Sequence, residues 1–159
     1  MTTMSPTVRT VTTVGDMLGT VHEVWMEQVA TFLVPALREE ADFWSRWAVV
    51  RFLSDQFCDR FRLECALVEA LDSLLPNGVG RKLAAARTEL EHTVEELMIV
   101  GRRRATGPLA ARLTRRFMDK LALWCVEVEL ATDGIEVDEL APEPSRLLAS
   151  LRVTNALLP

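Results

Sequence analysis

Apolar residues recur at every third or fourth position over most of the chain, the spacing of amphipathic helices. A first helix is predicted from about 14 to 36, with Leu18, Val21, Trp25, Val29 and Phe32 on one face and Asp16, Glu23 and Glu27 opposite; Pro35 marks its end. A second, from about 39 to 75, carries Phe43, Trp47, Val50, Phe57, Phe61, Cys65, Val68 and Leu75 on one stripe. Val49, Leu53, Leu67 and Leu74 form another about a third of a turn away. A helix apolar over so wide an arc must be covered on two sides. Two covers fit, the C-terminal segment or a second copy of the protein. Leu75-Pro-Asn-Gly78 stops this helix.

A third helix, about 79 to 104, has a narrow face of Val79, Leu83, Ala86, Leu90, Val94 and Leu97. It ends in Arg102-Arg103-Arg104, cations that suit a helix C-terminus. A fourth, about 108 to 132, presents Leu113, Phe117, Leu121, Trp124 and Val128 and stops at Asp133-Gly134. Beyond Pro142 and Pro144, residues 145–158 form a short amphipathic segment. Strand alternation is nearly absent. The pattern predicts an all-α fold, an antiparallel up-down four-helix bundle with a short extra C-terminal helix. Residues 1–12 are Thr-rich and read as a loose tail, and 13–159 as a single domain.

Composition narrows the function classes. The chain has 159 residues, 49% hydrophobic and 26% charged, enough to bury a core without staples. A formal net charge of −5 argues against nucleic acid as a main partner, because phosphate binding needs a basic surface. No apolar run is long enough to span a membrane, and residues 1–16 lack the apolar stretch of a signal peptide, so the expected location is cytoplasmic. Cys58, Cys65 and Cys125 are odd in number and show no CxxC spacing, which signals neither a disulfide framework nor a zinc site.

Three stretches resemble the hemerythrin-like, cation-binding bundle family. Met17-Leu-Gly-Thr-Val-His22 is similar to the family's opening helix, which presents a His to a di-iron site. Phe57-Cys-Asp-Arg-Phe61, running to Leu74-Leu75-Pro76, is similar to the family's FxDRxHHxKEExLFP ending. Phe117 to Glu129 is similar to its YxxLLxxHxxKED segment. The resemblance in helix order covers about residues 14–140 and implies the fold and a central cavity. It does not extend to the ligands. The expected HxxxE aligns with Cys65 and Glu69, and the expected His of the last helix with Trp124, which cannot ligate iron. The chain has two His in all, and His92, about 200° from its helix's stripe centre, is read as surface. No metal and no cofactor are therefore expected.

The residues left over suggest a different use of that cavity. His22, on the edge of an apolar stripe, is a candidate acid or base, with Glu69 and Asp72 as inward carboxylates to orient it or share the proton transfer. Trp25, Met26, Phe61, Cys65, Leu121 and Trp124 are candidate walls of an aromatic pocket for an apolar or conjugated small molecule. The leading expectation is a metal-free bundle that binds such a molecule or catalyses a cofactor-independent cyclisation or isomerisation. One alternative is a non-enzymatic helical interaction or regulatory protein, with a homodimer among its forms. Another is a residual metalloprotein using His22, Glu69, His92, Glu96 and Glu129.

Overall fold

The computed structural model describes residues 12–33, 50–102 and 107–157. Phe43, Trp44, Trp47, Val49, Arg103-Arg104 and residues 1–11 of the expected tail lie outside them. The described residues fold into α1 (Val14–Leu33), α2 (Cys58–Ala70), α3 (Val79–Arg102), α4 (Gly107–Thr132) and α5 (Pro142–Leu157). A π-helical turn at Leu53–Phe57 leads into α2, and short 3-10 turns follow α2 and α4. No strand occurs among these residues; a single bridge joins Thr13 to Glu136. The all-α class is what the structure shows.

Local chemistry fixes the ends. Thr13 caps α1: its Oγ1 accepts from the Asp16 amide at 3.1 Å, and Asp16 Oδ2 accepts from the Thr13 amide at 3.5 Å. This reciprocal pair satisfies donors that a helix start leaves open. The Val137 amide also donates to the Thr12 carbonyl at 3.1 Å, so the last residue of the expected tail is tied down by backbone pairing. The predicted second helix ends earlier than its apolar pattern suggests. Leu71 leaves helical geometry (φ −97, ψ 2), and Asp72–Leu74 form a 3-10 turn before Gly78 turns the chain at φ +85.

Buried positions on α1 are Val14, Gly15, Leu18, Val21, His22, Trp25, Val29 and Leu33, an unbroken helical stripe. It meets Leu83, Leu90 and Leu97 of α3 and Phe117, Leu121, Trp124 and Val128 of α4 in one core. Phe57 of the π-helical turn and Phe61 of α2 enter through aromatic contacts. Phe57 meets Phe117 edge-on at 5.0 Å, and Phe61 meets Trp124 edge-on at 5.1 Å. On the second apolar face of this helix Leu53 and Leu67 are buried, whereas Leu74 is 56% exposed. The C-terminal segment, one of the two expected covers, is a 16-residue helix packed on α2 and α1, with Leu148 and Leu151 buried.

The first and fourth helices approach closely because Gly15 permits it. A Cβ there would sit 2.6 Å from the Glu129 carbonyl oxygen and 2.8 Å from Asp133 Cα, both backbone atoms that cannot step aside. Gly15→Ala is expected to destabilise the fold by about 1–3 kcal/mol in urea unfolding, as overpacking does. An unchanged midpoint would mean that the two helices slide apart freely.

Candidate functional site: a buried ion cluster beside an aromatic pocket

His22 lies on the α1 stripe and is 2% exposed. Its two ring nitrogens face different carboxylates: Nε2 is 2.6 Å from Glu64 Oε1, and Nδ1 is 2.9 Å from Glu129 Oε2. An ionised carboxylate only accepts hydrogen bonds, so both nitrogens must donate and the ring is an imidazolium. Burial by itself lowers the ring's proton affinity. The charge of Glu64, with hydrogen bonds to Cys125 and Glu64, outweighs that and raises the pKa from 6.5 to about 11. Trp124 Nε1 donates to the same Glu64 oxygen at 3.2 Å. Glu64 is 1% exposed, while the Glu129 side chain is one-third exposed. Gly19 opens the path for Glu129, since a Cβ there would lie 3.1 Å from its Oε1.

Arg60, one turn before Glu64 on α2, is 2% exposed. Its guanidinium carbon stands 4.7 Å from the centre of the Trp25 ring, and Nη2 donates to the Val21 carbonyl at 3.5 Å. Nε and Nη1, which carry three of the five guanidinium N–H groups, have no hydrogen-bond partner, and neither does Glu64 Oε2. Burial lowers the Arg60 pKa, and Glu64 opposes that.

Arg60 also borders a cavity of about 260 Å³ between α1, the π-helical turn, α2 and Thr154 of α5. Its walls include Trp25, Phe32, Phe52 and Phe57. Trp25 stacks on Phe57 at 5.2 Å, and Phe32 on Phe52 at 4.5 Å. The π-helical turn supplies Asp55, Gln56 and Phe57 to this wall. Such turns insert one extra residue into a helix and are frequent at functional sites.

The structure divides the residues singled out in the sequence. Trp25 opens on the aromatic cavity. Cys65, Glu69, Asp72 and Trp124 share a different groove of about 340 Å³ between α2 and α3, together with Arg87. Glu69 and Asp72 are exposed there, and Glu69 pairs with Arg87 at 3.2 Å rather than with His22. Burial pushes the Cys65 thiol up to about 12, so at neutral pH it stays protonated. Phe61 lines a third hollow with Cys58 and Arg87. Leu121 is fully buried, and Met26 is half-buried against the core. The candidate wall residues are thus divided among separate hollows, with Trp25 on one and Cys65 and Trp124 on another. His22, Glu64 and Glu129 line none of the four cavities described.

Glu64, the main partner of His22, was not among the expected site residues. It stands one residue before Cys65 on an inward stripe, and an acidic residue beside such a stripe was the available signal. Of the five residues in the metalloprotein alternative, His22 and Glu129 meet. His92 is 63% exposed and pairs with Glu96 on its own helix. Among the described residues, no group of three or more His, Cys, Asp or Glu side chains is arranged to hold a metal ion. No helix among the described residues is long and apolar enough to cross a membrane.

Comparison of the chain with protein-family models, with curated proteins and with solved structures finds no match.

Proposed function

We propose that this protein binds a small apolar, ring-bearing molecule in the aromatic cavity of α1 and α2, within a hemerythrin-like up-down arrangement of helices that has no metal centre. The observation that carries the reading is the pocket wall itself: Trp25, Phe32, Phe52 and Phe57 around about 260 Å³ of space, with a buried arginine at its edge. Aromatic walls with a few fixed polar groups are the usual makeup of ligand sites. The volume is a little under the roughly 300 Å³ at which drug-sized sites begin, which suits a one- or two-ring molecule.

Binding is favoured over cyclisation or isomerisation. A general base needs a free nitrogen within reach of substrate. Both His22 nitrogens are engaged by carboxylates, and the ring faces no described cavity. The interaction-protein reading draws on the two-sided apolar second helix and the amphipathic C-terminal segment, and these two pack on each other.

Calorimetric titration of the full chain with 2-naphthalenemethanol, a neutral two-ring probe, tests the reading. Saturable one-to-one binding is expected in wild type. Leu63→Trp, which fills the pocket from its wall, should weaken it at least tenfold while leaving the circular dichroism spectrum unchanged. Equal binding by this folded variant would place the ligand elsewhere.

A further inference from the structure

The aromatic cavity holds two polar features that its apolar walls do not explain. The first is Arg60. A buried donor without an acceptor costs on the order of 1–3 kcal/mol, and buried polar groups in native proteins are nearly always paired. Arg60 has two unpartnered nitrogens at 2% exposure. The second is Gln28 Oε1, a buried acceptor without a donor on the same cavity.

The charge balance around Arg60 points to an anion. Among the described residues the fully buried titratable side chains, cysteines aside, are two basic, Arg60 and His22, against one acidic, Glu64. Glu129 is one-third exposed, and water screens it. Asp55 and Asp59 also border the cavity, but both are largely exposed and turn to surface arginines. Asp55 lies 3.8 Å from Arg51, and Asp59 lies 3.3 Å from Arg62. Arg60 makes no such pair, and the one acid acting on it, Glu64, also serves His22. A guanidinium recognises a carboxylate through two parallel N–H bonds, and charge assistance makes them about twice as strong as neutral ones.

We propose that the ligand of this cavity is an aromatic carboxylic acid, its rings between Trp25, Phe57 and the Phe32–Phe52 pair and its carboxylate on the free nitrogens of Arg60. Gln28 Oε1 accepts from a hydroxyl or N–H on the ligand's ring. This assignment rests on the aromatic cavity being a ligand site, and it adds the ligand's charge and orientation.

The experiment compares 2-naphthoate with 2-naphthalenemethanol on the full wild-type chain by calorimetry. The two probes share their rings and differ in the carboxylate. Naphthoate is expected to bind at least tenfold tighter. Arg60→Lys keeps the charge but loses the fork, and Arg60→Met loses both. The ratio of acid to alcohol affinity should shrink in Arg60→Lys and vanish in Arg60→Met. If the alcohol binds and the acid binds no tighter, the carboxylate assignment fails and the pocket reading stands. If neither binds, both fail. The wild-type comparison decides the matter even where Arg60→Met does not fold.

Discussion

Glu64→Ala is expected to be the most damaging single substitution in the described core, with a loss of about 3–5 kcal/mol. Glu64 accepts from His22 at 2.6 Å and from Trp124 at 3.2 Å, and its charge faces Arg60. Removing it leaves a buried imidazolium held only by the half-solvated Glu129, a buried guanidinium without its counter-charge, and an indole N–H without an acceptor. Each is the costly kind of orphan: a charged or polar group still buried, its partner gone. A loss this large is a sizeable share of a typical domain's stability, so the variant should be partly unfolded at room temperature. Removing both ends is expected to cost less than the sum. His22→Leu with Glu64→Leu should recover at least about 1 kcal/mol relative to additivity, because the charge mismatch disappears with the pair. Urea unfolding of the four proteins in this cycle measures that coupling. Additive losses would show that the two groups do not depend on each other.

The second large effect is a dependence of stability on alkaline pH. The folded His22 pKa is raised, from 6.5 to about 11. A group of this sort contributes its full stabilisation below the unfolded value and loses it as pH rises through the folded one. The stabilisation is therefore complete below about pH 6.5, declines between 6.5 and 11, and is gone above. The slope within that window is on the order of 1.4 kcal/mol per pH unit for the one proton involved. Glu64, Glu129 and Cys125 face the ring, with Arg60 behind Glu64, and burial raises the Cys125 thiol as well. The informative quantity is thus the difference between wild type and His22→Gln, in which other titrations cancel. That difference should shrink steadily from pH 7 to pH 10. A flat difference would mean that the ring is neutral in the folded protein.

Much of this architecture is written in local periodicity. The stripe from Leu18 to Val29 and the one from Phe117 to Val128 alone place two helices and their inward faces. Thr13 and Gly78 act through capping and left-handed geometry that depend on near neighbours only. The site is different. Glu64 and Glu129 lie 42 and 107 positions from His22, and no local rule couples residues so far apart. Glu69 looks as good a partner as Glu64 in a helical projection, because both flank the same apolar stripe. The π-helical turn at Leu53–Phe57 shifts the register of the helix leading into α2 by one residue, which no periodic pattern reveals. It also supplies Phe57 to the aromatic wall of the cavity.

The sequence by itself determined that this chain is helical, where most of its helices stop, and which faces are apolar, because those properties follow from spacing and from residues a few positions apart. Only the tertiary structure decided which acid meets His22, that α5 packs on the helix ending in α2, and that the aromatic cavity has Arg60 at its wall. Those outcomes depend on how bulky side chains from distant segments divide a shared interior, and on where backbones can touch, as at Gly15.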